Sequence, residues 1–253
     1  MFADSCLAVV LAFAVSAVAG WIDAIAGGGG LLTLPFLLNL GLPPALAIGT
    51  NKLQSTFGSM AASWRFASSG HVDKAVALRG ALAAFLGSLC GAWLLQRLDP
   101  RLLAWLLPFL LSGVLAYMLF SPGFGQSRGA ARFALRPLLC GLGLALGFYD
   151  GFFGPGTGTL WAAALVGLGG LELLGATGYA KIMNFSSNAA ALCLFVIGGN
   201  ISYEIGAVMA IGQLLGSRLG ASMAIKRGPA FVRPLLLCMS GAMVAVLFYR
   251  VFR

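Results

Sequence analysis

The sequence predicts an all-α polytopic membrane protein built from two inverted repeats. Three observations carry that expectation. Residues are 60% hydrophobic and only 9% charged, whereas a soluble domain is about one quarter charged. Apolar runs of about 20 residues, long enough to span a bilayer, recur along the whole chain. The chain also aligns with itself, and an internal repeat takes precedence over any single-segment reading. Gly20-Trp21-Ile22-Asp23 lies over Gly147-Phe148-Tyr149-Asp150 at an offset of 127, which also places Gly27-Gly28-Gly29 over Gly154-Pro155-Gly156. Further on an offset of 129 holds for about 50 residues, pairing Gly49-Thr50-Asn51-Lys52 with Gly178-Tyr179-Ala180-Lys181 and Gly87 and Gly91 with Gly216 and Gly220.

The first repeat covers residues 1–120, a polar basic linker 121–136, and the second repeat 137–253. The apolar pieces of the first repeat run over about 5–25, 29–40, 45–66, 74–96 and 101–120. Those of the second run over about 136–153, 156–169, 174–198, 203–225 and 231–251. No basic residue precedes the run from Cys6 to Gly20, and no A-x-A-like site followed by a soluble domain comes after it. It reads as a first membrane segment rather than a cleaved signal. The second piece of each half is short: 10–14 residues of helix rise only ~15–21 Å against a hydrocarbon core of ~30 Å. Half-helices, or strongly tilted ones, are expected there.

The formal net charge is +9. Because the basic residues sit between apolar runs, they are read as topology signals that touch anionic lipid, not as a nucleic-acid surface. Arg128, Arg132 and Arg136 place the central linker in the cytoplasm. Counting outward from it puts the 67–73 and 226–233 connections inside and the 97–101 and 199–202 connections outside. Equivalent loops then face opposite sides, which is what makes the repeat inverted. Both chain ends fall outside, with Arg97, Arg101, Arg250 and Arg253 counting against this topology. The five cysteines, with no C-x-x-C pairing, read as small core residues. No metal or cofactor is expected. The oligomeric state is not legible, a homodimer being one arrangement the sequence admits.

The chemistry gathers where the apolar pattern breaks. Gly27–Gly30 and Gly154-Pro155-Gly156-Thr157-Gly158 each begin four residues after an aspartate. In lipid, non-helical backbone is tolerated only when buried in protein or lining a water cavity. One reading is a hairpin of broken helices whose second piece presents free N–H groups and a positive dipole end to an anion. The backbone around Gly28, Gly29, Gly30 and Thr33, and around Gly156, Thr157 and Thr159, would then bind substrate. The other reading is close helix packing through small residues. Asp23, Lys52, Asp150 and Lys181 occupy matched positions in or near apolar segments. A charge at the centre of a membrane helix costs ~2.5–3.5 kcal/mol on insertion scales and is functional by default. Structural Asp–Lys bridges would explain the same residues, and the two roles can coexist. A lysine by the cavity attracts an anion, and a desolvated aspartate can take up a proton and release the lysine. Polar residues crowd round both lysines: Thr50, Asn51, Gln54 and Ser55 in one half, Asn184, Ser186, Ser187 and Asn188 in the other. Their amides and hydroxyls suit an oxyanion, and interhelical hydrogen bonding would suit them equally. Trp21 and Trp161 could line the cavity, while the other tryptophans read as an interfacial belt.

The stretch GWIDAIAGGGGLLTLPFLLNLGLPPALAIGTNKLQSTFGS closely resembles the first-repeat signature of the sulfite exporter TauE/SafE family, the toluene sulfonate uptake permeases. GFYDGFFGPGTGTL resembles the second, with Thr157 where that pattern usually has glycine. The resemblance implies a multi-pass permease of the bacterial inner membrane. Its implied substrate is sulfite, an organosulfonate or a related sulfur-containing anion. Asp23, Gly27–Gly30, Pro35, Thr50, Asn51, Lys52, Asp150, Gly154, Pro155, Gly156 and Lys181 would surround the pathway. The expected function is therefore secondary anion transport by alternating access. Asp23 and Asp150 would couple protons, and the partners would be a small anion, protons and lipid. A passive anion channel, a scaffold and, remotely, an intramembrane aspartyl protease using Asp23 and Asp150 are the competing classes.

Overall fold

A computed structural model describes residues 6–98 and 131–228, together with 230–232, 234, 235 and 238. The expected segments at 101–120 and beyond 238, and most of the linker, lie outside the described residues. Each half contributes four described helices in the same order. They are α1 (Cys6–Ala26), α2 (Gly30–Asn39), α3 (Pro44–Ala67) and α4 (Lys74–Arg97), then α5 (Leu135–Phe152), α6 (Thr157–Gly167), α7 (Leu173–Ile197) and α8 (Tyr203–Arg227). Four of them, α1, α4, α7 and α8, are long and apolar enough to cross a membrane. The short pieces are helices of 10 and 11 residues, about half a bilayer in rise.

Local sequence explains the boundaries. Gly27 and Gly28 take φ of +78° and +98°, and Gly154 and Gly156 take +96° and +83°. Side-chain-bearing residues rarely adopt these values, and they end α1 and α5 mid-membrane. The second left-handed position falls one residue later in the second half because Pro155, locked at negative φ, lies over Gly28. The clusters are thus broken helices. Pro44 opens α3, where its missing N–H costs nothing. Asp73 caps α4 by accepting from the amides of Ala75 and Val76 at 2.9 and 3.3 Å.

Close packing through small residues is real too, at Gly27 and Gly29 of the first cluster and at glycines outside both clusters. A Cβ on Gly87 or Gly91 would strike the backbone of Leu144 or Phe148, and one on Gly147 or Gly151 the backbone of Ala84 or Ser88. Likewise Gly212, Gly216 and Gly220 lie against the backbone at Phe13, Ala17 and Trp21. Residue numbers rise together in both seams, so α4 runs parallel to α5, and α8 to α1. Without a hydrophobic force between helices in lipid, such small-residue stripes let backbones approach. The fourth helix of each half is therefore clamped to the first helix of the other.

Equivalent helices α3 and α7 also touch, and they run antiparallel. Gly49, near the start of α3, meets Phe195 and Asn200 at the end of α7, whereas Phe66, near the end of α3, meets Gly178 near the start of α7. Outer faces are apolar: Leu78, Leu82 and Leu86 on α4, and Ile211, Leu215 and Leu219 on α8, are exposed at four-residue spacing, as helices facing lipid should be. Two readings of the sequence are corrected. Cys90, Cys193 and Cys238 are exposed and Cys140 only half-buried, because they sit on outer helix faces where lipid tolerates a thiol as well as the core does. Trp161 is fully buried among α4 and α7 residues, and neither it nor Trp21, whose indole N–H points to the Met223 sulfur at 3.2 Å, lines the cavity.

Gly216→Ala would drive a methyl into the Ala17 carbonyl. It is expected to lower stability by about 1–3 kcal/mol. Gly141→Ala, on an open face with nothing within 4 Å, is expected to be neutral or to gain up to about 1 kcal/mol. Thermal unfolding midpoints in detergent check both.

Candidate functional site

The two broken hairpins meet at the centre. Gly27 packs on Gly158 and Thr159 so closely that a Cβ on it would lie 2.6 Å from the Thr159 amide nitrogen. Thr159 Oγ1 donates to the Ala26 carbonyl at 2.9 Å, capping the end of α1. A break frees carbonyls at the end of one helix and amides at the start of the next. Cations are favoured at the first kind of end and anions at the second.

Lysines from the opposite half take the carbonyl ends. Lys52, on α3, reaches α5: its Nζ lies 2.8 Å from Asp150 Oδ1, 2.5 Å from the Asp150 carbonyl oxygen and 3.0 Å from Asn188 Oδ1. Lys181, on α7, reaches α1: its Nζ lies 3.3 Å from Asp23 Oδ2 and donates to the Asp23 carbonyl. Both lysines are buried, at 1% exposure. The ion pairs are thus crossed between the halves. Ser187 Oγ also donates to the Asp150 carboxylate, Thr157 Oγ1 donates to the Gly154 carbonyl at 2.5 Å and lies 3.3 Å from Asp150 Oδ1, and the Gly29 amide donates to Asp23 Oδ1 at 3.2 Å.

The amide ends face a small polar cavity. Gly28, Gly30, Gly156 and Gly158 line it, and their N–H groups have no acceptor among the described residues. Asn51 joins them. Its Oδ1 accepts from Thr33 Oγ1 at 2.6 Å and Gln54 Nε2 at 2.9 Å, so its NH2 is left for the cavity. Across from it Asn188 Nδ2 donates to Asn184 Oδ1 at 3.1 Å, orienting the Asn184 NH2 in the same way. Asp23, Lys52, Ser55, Asp150, Thr157 and Asn188 complete the polar wall. The arrangement is an array of donors with two compensated cations, suited to an oxyanion small enough to be wrapped by backbone.

Some of the expected binding residues stand behind that wall. Thr33 and Gln54 orient Asn51, Gly29 holds Asp23, and Thr159 caps α1. Thr50 Oγ1 donates to the Leu46 carbonyl at 2.7 Å and accepts from the Ser202 amide at 3.0 Å, a helix–loop tie away from the cavity. Lys181 sits just behind Gly158, 3.3 Å from where a Cβ on that glycine would be. Ser55, named in the sequence among the donors around Lys52, and Gly158, of the second glycine cluster, also line the cavity.

Removing one partner of a buried pair leaves an uncompensated charge, a loss of about 3–5 kcal/mol. Lys52→Ala and Asp150→Ala are each expected to destabilise on that scale. The double variant should lose clearly less than the two added together, as read by unfolding in detergent.

The sulfite exporter TauE/SafE family profile matches residues 12–247. A protein of Haemophilus influenzae named as a probable membrane transporter is 44% identical over 243 residues, 94% of this chain and 93% of its own. The probable membrane transporter protein YfcA of Escherichia coli is 39% identical over 249 residues, 98% of this chain and 93% of its own. A further probable membrane transporter from a Sinorhizobium species is 39% identical over 231 residues. No solved structure matches the chain. With a match along nearly its whole length and relatives of this identity, the chain is a multi-pass membrane transporter belonging to the sulfite exporter TauE/SafE family.

Proposed function

We propose that the protein is a secondary transporter, not an enzyme, that carries a small sulfur-containing oxyanion, sulfite or an organosulfonate, across the bacterial inner membrane. The observation that carries this reading is the cavity at the meeting point of the two breaks. Four unpaired backbone amides and the NH2 groups of Asn51 and Asn184 converge there, beside two lysines already neutralised by aspartates. Donors without acceptors suit an anion. Neutralised lysines keep the empty site from being an uncompensated charge in lipid. The family's name supplies the sulfur chemistry.

Alternating access of inverted repeats is supported by the antiparallel run of equivalent helices α3 and α7 and by the exchange of seams between the halves. Each half can take the pose the other vacates. Proton coupling follows from the crossed pairs: protonating an aspartate releases its lysine to the anion. Asp23 and Asp150 are each held by a lysine rather than by one another, which disfavours a proton-sharing protease dyad.

A ligand that binds only the folded state stabilises it, by about 2.7 kcal/mol at one hundred times its Kd. Sulfite, thiosulfate, taurine or sulfoacetate is therefore expected to raise the unfolding temperature of the purified protein, where sulfate, bicarbonate and acetate do so less. Asn51→Ala should abolish the rise. A response confined to carboxylates would discard the sulfur substrate and keep the transporter.

A further inference from the structure

The two crossed ion pairs are related by the repeat, yet they are built differently. The Asp150 carboxylate accepts from Lys52 at 2.8 Å and from Ser187, with the Thr157 hydroxyl, which donates to the Gly154 carbonyl at 2.5 Å, lying a further 3.3 Å away. All three ammonium protons of Lys52 have acceptors: Asp150 Oδ1, the Asp150 carbonyl and Asn188 Oδ1. The Asp23 carboxylate accepts from Lys181 at 3.3 Å and from one backbone amide. Among the described residues Lys181 has two acceptors, both on Asp23, and its third ammonium proton has none there. The Asp23 side chain is 11% exposed and that of Asp150 2%.

The difference is written in the sequence rather than in one pose of the molecule. Thr157 lies over Gly30 and Ser187 over Gly58, so the first half has no hydroxyl at either place to reinforce Asp23. Asn188 lies over Ser59, whose hydroxyl is spent on the Ser55 carbonyl at 2.6 Å. A hydroxyl cannot be introduced at position 58 without rebuilding, since a Cβ there would strike the Gln213 side chain.

We propose that Asp150–Lys52 is a fixed brace and Asp23–Lys181 the pair that opens, Asp23 being the carboxylate that takes the coupling proton and Lys181 the cation that then meets the anion. This rests on the anion-transport reading above. The step balances: a proton from the aqueous phase adds to an Asp23 carboxylate oxygen and cancels its charge. The Lys181 ammonium keeps its own protons and pairs with the anion, and release of anion and proton restores the bridge. The charged groups facing Asp23 are Lys181 from α7 and, across the cavity, Lys52 from α3 and Asp150 from α5. Helices α2 and α6 contain no charged residue, and none of Glu204, Arg218, Lys226 and Arg227 on α8 lines the cavity.

The test is infrared difference spectroscopy of the full chain in lipid, read on the stretch of a protonated carboxyl as pH falls. The expected result is a band in the wild type that is lost in Asp23→Asn and kept in Asp150→Asn. A band kept in Asp23→Asn and lost in Asp150→Asn overturns the proposal, as does equal loss in both or no band that depends on Asp23. Should Asp150→Asn fail to fold, Ser187→Ala carries the comparison. It removes one donor from Asp150 alone, so an unmoved titration midpoint supports the proposal and a raised one overturns it. Uptake of labelled sulfite by wild-type vesicles separates the underlying reading. No uptake with the band assigned to Asp23 removes the sulfite reading and keeps the division of labour. Uptake with the band assigned to Asp150 does the reverse.

Discussion

A helix that breaks inside hydrocarbon frees carbonyls and amides that water cannot reach, and the rest of this structure follows from how they are satisfied. Both breaks are made by glycines at positive φ, four residues after an aspartate. The carbonyl side of each is bound by a lysine of the other half, which also pairs with that aspartate. The amide side is turned to a polar cavity. Each lysine thus has two tasks, compensating an aspartate of the other half and capping the helix end beside it, so each break draws on the opposite half.

That dependence explains the interlocked packing. For Lys52 to reach Asp150 and Lys181 to reach Asp23, the halves must approach within a backbone's width, and glycine and alanine stripes on α1, α4, α5 and α8 provide the approach. The apolar residues that a soluble protein would bury face outward instead, as on Leu78–Leu82–Leu86, because lipid makes no distinction between a leucine inside and one outside. The interior is left for small and polar side chains, and the site grows there.

A transporter needs its charges held, but not held alike. Where the repeat placed the same aspartate and lysine in both halves, the surrounding hydroxyls diverged: Thr157 and Ser187 stand around Asp150, glycines around Asp23. The two ion pairs are therefore related by the repeat but differ in the hydrogen bonds around them. The chain belongs to the sulfite exporter TauE/SafE family, and the cavity's donors are of the kind that suits an oxyanion.

The sequence by itself determined the membrane class, the repeat and the element boundaries, because apolar length and glycine–proline punctuation are local signals. The described helices end within about two residues of the expected pieces. It also marked Asp23, Lys52, Asp150 and Lys181, since a charge in lipid needs a reason. Tertiary structure alone decided which lysine meets which aspartate, because crossed and uncrossed pairings leave the same one-dimensional pattern. It alone showed which glycines take positive φ at a break and which only pack helix on helix, with Gly27 doing both. It also separated Asn51 and Asn184, which face the cavity, from Thr33, Gln54 and Thr50, which lie one layer behind. As polar residues near a lysine they look alike in the sequence, and only the folded contacts show that Thr33 and Gln54 are spent on Asn51, and Thr50 on the Leu46 carbonyl and the Ser202 amide.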